Sequence, residues 1–212
     1  MNPVYFIGWS FYRTLFALYF RWRVYNPEWV PLTGPVILAA NHASFLDPPL
    51  VGSGLKRDIN YLARKSLFRY PVLGAILRTV NAVPVDRDGG GAAGLKAIMD
   101  RLHNGGAIIL FPEGTRTRDG KLQPARSGIG LTVIKSEAPV VPVRVFGTYE
   151  AWGRRVKFPK PHRVVVKYGR PMGFEKLRAE ARECSKMRLK EVYQELADEI
   201  MSAIAKLEAV RD

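Results

Sequence analysis

Residues 36–48 read Val36-Ile37-Leu38-Ala39-Ala40-Asn41-His42-Ala43-Ser44-Phe45-Leu46-Asp47-Pro48. The uncharged apolar run at the start predicts a strand buried on both faces, the kind a parallel sheet needs. Polar residues then close the strand. A helix is predicted to follow at 49–54, with Ser44 or Asp47 as its cap. Strand, polar loop and helix in this order make one step of an α/β domain. In such domains ligands sit at the loops beyond the carboxyl ends of the strands.

The same alternation runs outward from there. Val- and Ile-rich runs predict further strands at 59–63, Ala82–Val85, 107–111, Val140–Phe146 and 164–167. Helices are predicted between them at 49–54, Pro71–Thr79, 94–104 and 129–135. The expected fold is a single α/β domain with a mostly parallel or mixed central sheet flanked by helices. A chain of 212 residues, 47% apolar and 25% charged, is long enough for such a core and too apolar for wholesale disorder. The lone Cys184 excludes an intramolecular disulfide and any multi-cysteine metal site. No metal and no cofactor are expected.

The net charge of +14 needs a partner to explain it. Residues 174–212 carry 8 basic and 9 acidic side chains, so the surplus lies entirely before them. That tail reads as one long helix packed on the domain, with Leu177, Ala181, Cys184, Leu189, Val192, Leu196 and Ile200 at three- and four-residue steps. Cys184 falls on its apolar side as a small buried hydrophobe. The densest basic stretch, 152–170, has no acid and interleaves Trp152, Phe158 and Tyr168 with Arg154, Arg155 and Lys157. Such a mixture suits nucleic acid or an anionic bilayer equally, and composition does not choose between them.

Residues 4–25 contain ten aromatic side chains, with Arg13 near the middle and Arg21 and Arg23 at the end. The central arginine argues against a spanning helix. An interfacial helix in the headgroup plane, its arginines snorkelling outward, is expected instead.

Three strand-end loops hold the reactive side chains. In the first, His42 is placed for proton transfer near neutral pH, and Asp47 could fold back to orient the imidazole. The second, Phe111-Pro112-Glu113-Gly114-Thr115-Arg116, follows the 107–111 strand. Gly114 permits a tight backbone, Thr115 offers a hydroxyl, and Arg116 supplies a planar fork for phosphate. Glu113 can hold Arg116 or a nearby amide. The third, Val83-Pro84-Val85-Asp86-Arg87, offers Arg87 to the same anion. His103 and His162 have no carboxylate at suitable spacing.

Together these loops resemble the glycerophosphate acyltransferase family, most closely its 1-acylglycerol-3-phosphate acyltransferases. That family shares an Asn-His-x4-Asp block, a second block ending in arginine, a Phe-Pro-Glu-Gly-Thr-Arg block and a Val-Pro-Val block. Here all four occur in order, at 41–47, 65–87, 111–116 and 140–143. Two positions depart from the pattern: Ser66 stands where an acidic residue is common, and Asn81 where glycine is common. The segment before the first block is shorter than usual for the family, which implies a reduced membrane anchor.

The resemblance implies His42 as general base, Asp47 as its orienting partner, and Arg87, Glu113, Gly114, Thr115 and Arg116 around a substrate phosphate. The implied donor is acyl-CoA or acyl carrier protein, the implied acceptor a lysophospholipid, and the implied product phosphatidic acid. Glycerol 3-phosphate or another lysolipid is the alternative acceptor. No covalent acyl-enzyme is expected, since no Gly-x-Ser-x-Gly elbow exists. The implied organisation is an interfacial helix over 1–30, an acyltransferase domain over 31–173 and a C-terminal helix over 174–212. The expected place is the cytoplasmic face of an anionic membrane, as a peripheral or monotopic protein.

Two rivals are weaker. Gly89, Gly91 and Gly94 match a dinucleotide fingerprint, but Asp86-Arg87-Asp88 separates them from the strand. A basic nucleic-acid-binding module would leave His42, Asp47 and residues 113–116 without a task, and no nucleic acid is expected.

Overall fold

The computed structural model describes residues 3–85 and 92–209. Arg87 and most of the glycine fingerprint at 89–94 lie outside them. The chain forms α1 (Pro3–Tyr19), β1 (Arg23–Tyr25), β2 (Val36–Ala40), α2 (Asp47–Ser53), β3 (Ile59–Arg64), a 3-10 turn (Lys65–Arg69), α3 (Pro71–Thr79) and β4 (Ala82–Val85). It continues with α4 (Ala92–His103), β5 (Ala107–Leu110), α5 (Gly128–Ser136), β6 (Val140–Phe146), α6 (Thr148–Trp152), β7 (Val165–Tyr168), α7 (Glu175–Glu183) and α8 (Lys186–Lys206).

One mixed sheet takes the order β1-β7-β6-β2-β5-β3-β4. All its pairings are parallel except β6 with β7. The alternation of side chains along β2 divides the core. Val36, Leu38 and Ala40 pack with Phe16 of α1, Leu50 of α2 and Ala151 of α6. Ile37 and Ala39 pack with Leu102 of α4, Val133 of α5 and Leu196 of α8. Every residue of β2 is fully buried, as an apolar run in a sheet covered on both faces must be. Because β2, β3 and β5 are parallel, their carboxyl ends open on one edge of the sheet. The loops carrying His42 and Glu113 therefore emerge side by side.

Three expectations change. The helix expected over 4–25 ends at Tyr19, because Arg21 takes a left-handed φ of 46° and the chain turns. Residues 23–25 then pair in parallel with β7 and cover what would be an open edge. Arg13 does not snorkel outward. Its guanidinium donates to Ser53 O at 2.8 Å and lies against the rings of Trp9 and Trp22. The tail is two helices, since Cys184 is extended and the Ser185 side chain caps α8 by accepting from Arg188 N. The long C-terminal helix is α8, packed on α5 and β6, and Cys184 is only half-buried.

Asn81 holds a φ of 59° in the turn before β4. Glycine suits that conformation best, and asparagine tolerates it better than other side chains. The departure from the family pattern thus leaves the turn intact. Among the described residues, no helix is long and apolar enough to cross a membrane.

Candidate active site

The first loop folds back on itself. Asp47 is fully buried at the start of α2, and its Oδ2 accepts the main-chain N–H groups of Ala43 at 2.6 Å and Ser44 at 2.7 Å. The same oxygen lies 2.8 Å from His42 Nδ1. An oxygen that already accepts two N–H groups is an acceptor, so Nδ1 carries the hydrogen and the lone pair is left on Nε2. The Ser44 hydroxyl donates to Trp152 O and accepts from Leu46 N, which pins the loop to α6.

The second loop clamps His42 from outside. Phe111 stacks on the imidazole, with ring centroids 3.9 Å apart and planes inclined by 16°. His42 N donates to Glu113 Oε1 at 3.2 Å, and His42 O accepts from Thr117 N at 2.8 Å. Ring and backbone are both held, yet 13% of the His42 side chain remains exposed, enough for a substrate to reach it. Burial pushes the Glu113 carboxyl up to about 7 and the nearby Asp47 pushes the same way, while the His42 amide and Arg144 pull it down.

Thr117, whose amide holds His42 O, also lines an open cavity of about 580 Å3, together with Gly114, Thr115, Arg116, Arg118, Asp119, Arg126 and Arg154. Gly114 turns the loop with a φ of 69°, and a Cβ there would press on Arg126. The Arg116 guanidinium lies 3.5 Å from the centre of the Phe45 ring, a cation–π contact that fixes its plane. Arg154 reaches across from beyond α6 to the Thr115 hydroxyl at 3.5 Å. Four guanidinium groups around one cavity make it a site for an anion, most simply a phosphate.

The structure therefore brings together His42 and Asp47, and separately Gly114, Thr115 and Arg116. Glu113 does not line the cavity. It sits buried behind it, holding an amide as the sequence allowed, and that amide is His42's. Phe45, Phe111, Arg118, Arg126 and Arg154 join the site without having been singled out for it. Arg154 was visible only as part of the basic 152–170 stretch.

The sequence pattern of the Acyltransferase family matches residues 21–146, more than half of the chain. The chain belongs to the Acyltransferase family. It is 32% identical over 126 residues to the 1-acyl-sn-glycerol-3-phosphate acyltransferase of Bacillus subtilis, covering 59% of this chain and 62% of that protein. It is also 32% identical over 139 residues to the enzyme of the same name from Limnanthes douglasii, covering 64% of this chain and 50% of that one. The match thus spans less than two thirds of either relative. The fold of this acyltransferase-family chain is similar to the crystal structure of the 1-acyl-sn-glycerophosphate (LPA) acyltransferase PlsC from Thermotoga maritima. The TM-score is 0.75 at 25% identity, over 97% of this chain and 81% of that one. The matched span contains both loops, so His42, Asp47 and residues 111–116 all lie within the part that the family shares.

Proposed function

We propose that the protein moves a fatty acyl group from a thioester donor, acyl-CoA or acyl carrier protein, to the free hydroxyl of 1-acylglycerol 3-phosphate, giving phosphatidic acid. The observation that carries this reading is the His42–Asp47 pair standing beside an arginine-lined cavity. A base and an anion site side by side suit an acceptor that carries both a hydroxyl and a phosphate.

In this reading His42 Nε2 takes the proton of the acceptor hydroxyl. The oxygen attacks the thioester carbon, and the C–S bond breaks as the ester forms. The imidazolium then returns its proton to the departing thiolate. Asp47 holds Nδ1–H and balances the transient charge. Arg116, with Arg126 and Arg154, holds the acceptor phosphate so that the hydroxyl faces Nε2. We place this work at the cytoplasmic face of an anionic membrane, where the negative surface potential suits the chain's positive charge. The outward side of α1, with Phe6, Ile7, Phe11 and Leu18 exposed, supports that placement.

The test is to incubate the protein with labelled acyl-CoA or acyl carrier protein and a panel of lysophosphatidate, glycerol 3-phosphate and lysolipids with larger head groups. Labelled phosphatidic acid is the expected product. Transfer only to another acceptor would replace the lysophosphatidate reading, and transfer to none would overturn it.

A further inference from the structure

Residues 59–85 contain no acidic side chain. They form β3, the 3-10 turn, α3 and β4, at one end of the sheet. α3 packs chiefly on the turn before it and on β4, and Gly74 is its one buried residue. A Cβ at Gly74 would press on Phe68 O, so glycine lets the turn fold tightly onto the helix. Leu77 is half-buried, and the other large apolar residues face outward: Val72 is 75% exposed and Ile76 53%, with Tyr70, Leu73 and Leu67 also exposed. Contiguous apolar surface of this kind marks an interaction site.

Charge complementarity identifies the occupant. Arg64, Lys65, Arg69 and Arg78 surround the apolar residues, and all four are exposed. Apolar side chains ringed by cations, with no acid near in sequence, suit anionic lipid headgroups over an acyl layer. The surface is also continuous with α1, where Gly8 faces Val80 and Tyr5 meets the Tyr61 hydroxyl of β3 at 3.3 Å. Residues 3–25 likewise contain no acid. Arg64 and Lys65 stand at the carboxyl end of β3, on the sheet edge that carries His42.

We propose that the 3-10 turn and α3 form a second bilayer-docking element beside α1, specific for anionic membranes, which sets the His42 edge of the sheet close to the lipid surface. This extends the membrane placement given above, but its test reads binding and not turnover.

Flotation with phosphatidylcholine vesicles, with and without phosphatidylglycerol, measures it on the full chain. Wild type is expected to float with the anionic vesicles. Val72→Glu with Ile76→Glu lowers the partition coefficient by about tenfold or more. Arg69→Gln with Arg78→Gln lowers it by about tenfold at low salt and weakens its salt dependence. Met187→Glu, on the exposed side of α8, leaves it unchanged. All variants keep the wild-type Tm, since the altered side chains are exposed. Equal partitioning of wild type and the Val72/Ile76 variant overturns the proposal, as does a wild type that ignores anionic vesicles. Loss of self-association by that variant with vesicle binding intact would instead assign the face to a second copy, and also overturns it. A chain that docks through α3 yet acylates no lysolipid contradicts the function and leaves this inference standing.

Discussion

The main-chain N–H of His42 donates to the buried carboxyl of Glu113 at 3.2 Å, so the glutamate of the second loop sets the position of the histidine of the first. Burial raises this carboxyl from about 4.5 to about 7. A carboxyl raised in the folded state binds its proton more tightly there than in the unfolded chain. The contribution of this carboxyl to stability therefore falls as pH rises from about 4.5 to about 7 and is level beyond either end.

Glu113→Gln keeps a carbonyl oxygen for the His42 amide and removes the buried charge. It is expected to stabilise the protein at pH 8 by roughly 1–3 kcal/mol, with the gain shrinking to nothing by about pH 4.5. Urea unfolding at the two pH values measures this. A loss of stability of equal size at both would contradict the assignment.

Asp47→Asn tests the charge. Oδ2 alone accepts the Ala43 and Ser44 amides and meets His42 Nδ1, so an asparagine oxygen in its place keeps all three contacts while the NH2 group takes the place of Oδ1. The ring keeps its tautomer and loses the negative charge that balances the imidazolium. The expected loss in kcat is on the order of 10^2 or more, with KM for the acceptor little changed. Steady-state kinetics separates this from a binding defect, which would move KM instead.

Gly114→Ala tests the phosphate loop. The left-handed φ of 69° costs an alanine roughly 1–2 kcal/mol, and its Cβ presses on Arg126. Thermal unfolding should show the first effect and a raised KM for lysophosphatidate the second. Wild-type values in both would mean that the loop adapts freely.

Arg116→Lys keeps the charge and loses both the planar fork and the stacking on Phe45. KM for lysophosphatidate should rise about tenfold, since one of two charge-assisted hydrogen bonds of a bidentate pair is lost. Unchanged KM would place the acceptor phosphate elsewhere.

Much of this architecture was legible in the chain. β2, β4, β6 and α3 have the bounds that the Val/Ile runs and their Pro, Asn and Asp punctuation predict, because local pattern and burial agree there. β1 was not legible. Arg23-Val24-Tyr25 is a strand because β7 offers it an edge, a demand that comes from a partner 142 residues away in the Tyr25–Lys167 pairing. The inward turn of Arg13 depends likewise on the carbonyl of Ser53 and on Trp22. In the tail the apolar spacing carries on through the Cys184–Ser185 break, so periodicity alone conceals it.

At the site, the His42–Asp47 pair could be named from spacing, since a carboxylate five positions on, at a helix start, can fold back to the imidazole. The arginines could not be apportioned the same way. Arg154 belongs by sequence to a uniform basic stretch, and only the turn after α6 carries it to Thr115. Glu113 was readable as a holder of an amide, but not of which amide, because β5 and β2 become neighbours only in the sheet.

In the proposed reaction Nε2 of His42 is the base that activates the acceptor hydroxyl. The most direct measurement is the turnover of His42→Ala with a labelled thioester donor and lysophosphatidate, alongside its Tm. Phosphatidic acid formation is expected to fall by roughly 10^2–10^4 or more while the fold stays intact. Turnover near that of the wild-type protein in a folded His42→Ala variant would contradict it.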